Sequence, residues 1–495
     1  MRPGRWAALA AKVAVPVLAV GVVATALIVP AAVASQPGPA RTRTPQAVPV
    51  DAVDLVCPGP ETIGVRGADP AQAPAPSQVF AAVPPSSLLP EPGRGSSSGS
   101  LTITAGTKQL ATTQLGADAG TSLAAGQTAP ASPVVQARGA AAPGVIADQL
   151  TAVPQGDLRG LSTAPCTVPA DDVWLVGGGS EQGRRGRLVL SNPHDATTEV
   201  SVDVLGADGP VARTPGSTVA LAPHARTVLL LDALAPGVTS PVVHVRSSGG
   251  SVAAVLNDSW LDGLTALGSD DVVAALPPAE KVVVPGVRLG LGAVLRIAVP
   301  GAAEAVAQVH LIGEKGAVDL GDAGVVRVAG GSSHDIDLSK VPSGAYAIQV
   351  DADEPVLAGA MVHSSLSPAG GDLVWSASSD AVTSLTGIAH AVSAPGWTVD
   401  VVLSAPDKAA SLDVVTVQAD GSAVSTPVDV TAGTTRVVPV AGTSVWLKAK
   451  AGSGPWYAAR STIVRMPGIE LVSSAPLRQL APLTRVPADV AAAAD

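Results

Sequence analysis

Aromatic side chains are scarce in this sequence: seven Trp, two Tyr and one Phe make 2% of 495 residues, so the cores must be filled by Val, Leu and Ala. Cores of small and β-branched residues favour pleated sheets, where such side chains pack against cross-strand neighbours. Cysteine is limited to Cys57 and Cys166. Two thiolates without histidines at ligand spacing exclude a structural zinc site. Beyond residue 34 no stretch approaches 18 uncharged apolar residues, which excludes a further membrane-crossing helix there. The 52 Gly and 44 Pro make about 19% of the chain, short of the roughly 25–30% that marks a low-complexity polypeptide. Sizeable cores are therefore expected, and the length suits about three domains.

What is present starts with Arg2, Arg5 and Lys12, followed by the 22 uncharged residues Val13 to Ala34. As a helix, at about 1.5 Å per residue, that run spans about 33 Å, enough for a hydrocarbon core of about 30 Å. Ala32-Val33-Ala34 before Ser35 also fits the small-x-small site of a signal peptide. Residues 1–34 thus read as a transmembrane anchor or a signal peptide. Either one puts the remainder outside the cytoplasm, membrane-anchored or secreted, because the positive charges precede the segment. That exported part holds 27 basic and 40 acidic residues, a net charge of −13. The sign repels phosphate backbones and argues against nucleic acid. The expected partners are the membrane, through the N-terminal helix if uncleaved, and an envelope protein or glycan. An even cysteine pair in an exported chain predicts a disulfide between Cys57 and Cys166.

Residues 35–50 carry four prolines and read as a Pro-rich linker. Residues 51–172, rich in Ala, Pro, Gly, Ser and Thr, read as a β-rich module closed by the disulfide, with a soft stretch at Gly93 to Ser100. The rest repeats. RLVLSNPHDATTEVSVDVLGADGPV at 187–211 matches LRIAVPGAAEAVAQVHLIGEKGAV at 295–318 and VVLSAPDKAASLDVVTVQADGSAV at 401–424. The turn prolines Pro193, Pro300 and Pro406 lie 107 and 106 residues apart, and Gly209, Gly316 and Gly421 follow them by 16, 16 and 15. Apolar residues alternate within each unit, and period two means strands. Units of about 100 residues with frequent turns suit immunoglobulin-like sandwiches, whereas a propeller repeats every ~40–50 residues. The expected fold is all-β: tandem immunoglobulin-like sandwiches at 173–278, 279–382 and 383–474, strung one after another, with 475–495 a flexible tail.

The set LVCPGP at 55–60, DLRGLSTAPCTVPADDVWLVGGG at 157–179, LVLSNP at 188–193 and VVVPGV at 282–287 resembles an actinobacterial family of secreted or membrane-anchored proteins known only as a domain of unknown function. The resemblance implies an exported, β-rich protein that retains the Cys57 and Cys166 pair. It implies no activity.

Candidate chemistry is thin. Gly95-Ser-Ser97-Ser-Gly99 has the letters of a nucleophile elbow but sits in a Gly/Ser run without the required strand and helix around it. The seven histidines, from His194 to His390, are scattered singly. Ser269-Asp270-Asp271 and Asp351-Ala-Asp353-Glu354 read as solvated turn carboxylates, and Arg184-Arg185-Gly186-Arg187 as a basic hairpin loop. Most of the tryptophans read as core or junction fillers. An exposed indole can also stack a sugar ring, and Trp456-Tyr457, the one adjacent aromatic pair, is the candidate ligand platform. No catalytic residue, cofactor or metal ligand is assigned. The expectation is a non-enzymatic cell-envelope protein acting as a structural or interaction module, the alternative a carbohydrate-binding or carbohydrate-processing accessory.

Overall fold

Alternation decides which side chains go inside. In Thr198–Gly206 the residues Val200, Val202 and Val204 are buried while Glu199 faces solvent, as the strand period requires. The computed structural model describes residues 46–486 apart from 64–72, 76, 117, 119, 128–130, 365–369 and 392–393. The charge-free segment Val13–Ala34 lies outside the described residues, and no helix among them is long and apolar enough to cross a membrane. The described chain is all-β, with one short α-helix, Leu231–Leu234, and two 3-10 turns.

One strand order recurs. In the unit that follows the cysteines, one sheet runs Asp172–Val176, Val242–Ser248, Thr198–Gly206, then short edge pieces; the facing sheet runs Arg226–Leu230, Arg184–Ser191, Ala253–Asp262, Thr265–Val272. Their inner faces close on Leu175, Leu188, Val202, Val243 and Leu256. The two later units repeat this order. In the unit that starts at Ala279 the 20-residue strand Gly344–His363 serves both sheets, its first part pairing with Ala279–Leu289 and its last part with Gly292–Ala298.

The first region repeats the order as well. Ala52–Val56, Pro133–Gly139, Ser98–Ala105 and Lys108–Gly116 form one sheet. Thr121–Gln127, Ser77–Val83, Ile146–Val153 and Gly160–Pro165 form the other. The chain therefore contains four sandwiches, first to fourth in chain order, and the first stands where only a loose module was legible. A disulfide joins Cys57 to Cys166 across it, with both residues in its core.

The sandwiches are not strung out; they close on themselves. The last strand of each lies innermost: β1 (Gly160–Pro165), β2 (Thr265–Val272), β3 (Leu373–Ala377) and β4 (Ile469–Leu477). Each packs beside the next, and β4 returns to β1. Small residues permit the approach: Ala164, Val273 and Ala377 from three sandwiches form one cluster. Phe80, Leu150, Leu385 and Trp446 join the first sandwich to the fourth, and Trp174, Val242 and Leu357 join the second to the third. Gln46–Pro49 pairs antiparallel with Leu483–Val486, so part of the expected linker and part of the expected tail form a ladder that ties the two ends. The expected boundary at 474 also falls inside β4, which runs to Leu477.

At Gly160 an added Cβ would stand 2.1 Å from the Ser269 carbonyl oxygen on β2, so alanine there must push two inner strands apart. Gly160→Ala is expected to destabilise the protein by about 1–3 kcal/mol. Gly116→Ala, in an edge strand with nothing within 4 Å of the added carbon, is expected to change it by less than about 0.5 kcal/mol. Denaturant unfolding of the two variants beside the parent checks the contrast.

Candidate functional site

The inner strands converge on one carboxylate. Asp372, just before β3 and 1% exposed, accepts four backbone N–H groups, one from each sandwich. Oδ2 takes Leu161 at 2.9 Å and Val472 at 3.1 Å. Oδ1 takes Ser269 at 3.2 Å and its own neighbour Leu373 at 2.9 Å. These four donors occupy matching places in β1 to β4, at intervals of 108, 104 and 99 residues in the sequence. Gly268 makes room, for a Cβ there would meet the Leu373 nitrogen at 2.2 Å. Burial pushes the Asp372 carboxyl up to about 8, and the four N–H bonds pull the other way.

Further ionic groups tie each junction. Between the first and second sandwiches Glu61 bridges Arg226 at 2.8 Å and Arg187 at 3.4 Å, and Ser162 donates to Asp271 at 2.6 Å. Between the second and third, the buried pair of Arg184 and Asp258 is joined by the Trp375 indole N–H at 2.9 Å. The Trp375 backbone N–H donates to Asp270 at 2.8 Å. Arg288 pairs with Asp400 between the third and fourth. The fourth meets the first through Arg460 and Asp148 at 3.3 Å and through Phe80 stacked on His390 at 4.3 Å. Burial raises Glu61, Asp148 and Asp270 above the usual carboxyl range, against their Arg and N–H partners.

Several sequence expectations change here. Asp270 and Asp271 are 2% and 9% exposed, so they are junction groups and not solvated turn carboxylates. Arg184 to Arg187 open the strand Arg184–Ser191 and do not form a loop. Trp456 has no exposed surface; its indole lies in the core of the fourth sandwich and presents no face to a ligand. Tyr457 is partly buried against Val283, Ile312 and Ala347 at the junction with the third. Trp456 therefore supplies no platform. Ser97 sits at an exposed bend before Ser98–Ala105. Nothing in the sequence marked Asp372.

A family model described as a family of unknown function (DUF5719) matches residues 119–441. The chain belongs to that family. No curated protein matches it. Among solved structures, the DUF5719 chain is similar to the crystal structure of a tetra-tandem repeat in the extending region of a large adhesion protein. The identity is 14%, over 82% of this chain and 93% of that one, with a TM-score of 0.10. Similarity at that score carries no argument.

Asp372→Asn turns one acceptor oxygen into a donor facing two N–H groups. The expected loss is about 2–6 kcal/mol, at about 1–3 for each N–H left without an acceptor. The pH dependence has a definite sign. An unfolded carboxyl titrates near 4, so between that value and about 8 the folded protein holds the extra proton. The stabilisation linked to this group is complete below about 4 and is lost as pH rises through 8. Melting temperature is expected to fall from pH 5 to pH 8, with a shallower fall in Asp372→Asn; melts across that range check it.

Proposed function

We propose that this DUF5719 protein is a non-enzymatic, extracytoplasmic structural or interaction module of the cell envelope. In this reading four immunoglobulin-like sandwiches form a rigid closed body, held outside the membrane by the N-terminal segment or released from it. The observation that carries the reading is the bridge between Cys57 and Cys166 inside the first sandwich's core, because such bridges form and persist in oxidising compartments. The order of positive charge and apolar run at residues 2–34 supports the same side of the membrane. The non-enzymatic part of the reading is supported by where the buried charges lie. Arg460 with Asp148 and Glu61 with Arg226 bind one sandwich to the next, and the Arg184–Asp258 pair of the second sandwich takes the Trp375 indole N–H of the third. Groups used in this way lend rigidity to an interaction surface.

The test uses intact cells expressing the full chain with an epitope near its C-terminus. Membrane-impermeant protease is expected to remove the epitope, and maleimide is expected to label Cys57 and Cys166 only after reduction and denaturation. An epitope that survives until lysis, or thiols that label without reductant, would overturn the location. Replacing both cysteines by serine is expected to lower stability by about 2–5 kcal/mol, measured by denaturant unfolding of the purified exported part.

A further inference from the structure

Each of the first three sandwiches is closed at one end by its successor, and the donors to Asp372 set the register for comparing the three closures. Two residues beyond the donor stand Asp271 in β2, Trp375 in β3 and Ser474 in β4. Their partners across the hairpin are Asn257, Met361 and Ser461. Strand alternation turns each pair toward the preceding sandwich. Asp271 accepts from Ser162 of the first at 2.6 Å, Met361 and Trp375 join the core of the second, and Ser474 donates to the Gly286 carbonyl of the third at 3.3 Å.

The three ends are filled differently. Asn257 donates to Asp271 at 3.0 Å, and this polar pair leaves only about 20 Å³ free at the end of the first sandwich. An aromatic ring closes the second: Trp375 is buried there, its indole N–H on Asp258 at 2.9 Å and Arg296 over its face at 5.2 Å. Gly177 and Gly286 hold the same place, two residues beyond the buried Leu175 and Val284 in the first strands of the second and third sandwiches. A Cβ added at Gly177 would stand 2.9 Å from the indole; one added at Gly286 would stand 3.5 Å from Ser474 Oγ. Where the second sandwich receives an indole and a thioether, the third receives two serines.

The space so left is a cleft of about 220 Å³, bounded by Ser461 and Ser474 and walled by Val362, Val374, Ile463 and Val472. Aliphatic walls favour an occupant with apolar surface to bury. An apolar cavity of about 150 Å³ already takes benzene, so this one has room for a larger ring system. The lining also restricts charge. Arg288 is paired with Asp400, and Arg465 with Glu470 at 2.9 Å, so a charged ligand would lose its hydration without a free counter-charge.

We infer that the cleft between the third and fourth sandwiches binds an uncharged aromatic ring of about indole size, in the place that Trp375 fills one junction earlier. The ring packs on the four aliphatic side chains and restores the closure that Ser461 and Ser474 leave open. This goes beyond the envelope reading and holds whether or not the chain is exported.

The test is isothermal titration of the purified exported part with indole and with N-acetyl-L-tryptophanamide, beside the charged indole-3-acetate and the saturated ring cyclohexanol. The expected result is saturable binding of at least one of the first two, at least ~10-fold tighter than indole-3-acetate, a gap of about 1.4 kcal/mol, and at least ~3-fold tighter than cyclohexanol. Binding of indole alone indicates a free small molecule, and binding of the amide a ring carried on a peptide. Ser474→Trp supplies the ring from within the chain and is expected to abolish binding while leaving the melting temperature unchanged or higher. The milder Ser474→Val, which keeps the fold if tryptophan does not, is expected to weaken binding at least ~3-fold. Three outcomes would overturn the inference: no saturable binding of either uncharged indole, equal affinity for indole-3-acetate or cyclohexanol, or binding that neither Ser474 variant alters.

Discussion

One carboxylate buried among four backbone N–H groups is the constraint on which this structure depends. Asp372 belongs to the third sandwich, yet three of its four donors come from the other three. Donors placed this way cannot all be satisfied unless every innermost strand is seated. The cost of burying this polar group is offset only when the full set of hydrogen bonds forms. Folding and closure of the ring are therefore linked: a sandwich that fails to dock leaves an N–H or a carboxylate oxygen without a partner.

The surrounding chemistry follows from the composition. A chain nearly without Phe and Tyr builds cores of Val, Leu and Ala, and small residues where the inner strands meet let them approach closely. Gly160 and Gly268 take this to its limit, where even a methyl group would collide with the neighbouring backbone. The larger side chains go where sandwiches meet: Phe80 and Trp446 at one junction, Trp174 and Trp375 about another. Charged groups concentrate at the same places, where Glu61, Asp148 and Asp400 each take an arginine from the adjoining sandwich. The disulfide in the first sandwich and the ladder between Gln46–Pro49 and Leu483–Val486 then secure the sandwich whose sequence shows the weakest pattern.

Within a sandwich, much of this was legible in the sequence. The spacing of Pro193, Pro300 and Pro406 located three repeats, and alternation in Val200, Val202 and Val204 identified strands and their buried faces. The first sandwich escaped because its strands are written in Ser, Thr, Gly and Ala; Ser98–Ala105 begins inside a run that resembles a linker. The closed ring escaped for a different reason. Residues Leu161, Ser269, Leu373 and Val472 are not of one side-chain type, since each acts through its backbone N–H. Asp270 and Asp271 look like any turn carboxylates until the neighbouring sandwich covers them. Trp456 fails as a platform because, in a chain so poor in aromatics, an indole fills more core volume than any substitute and is drawn inside.

Amide hydrogen exchange at Leu161, Ser269, Leu373 and Val472 tests the linked closure most directly. If one carboxylate holds all four, these amides exchange only through a common opening, with the same protection and the same response to mild denaturant. Protection that differs among them by more than ~10-fold, or one of the four exchanging as fast as a surface strand, would mean that the sandwiches open separately and that the carboxylate does not bind them into one unit.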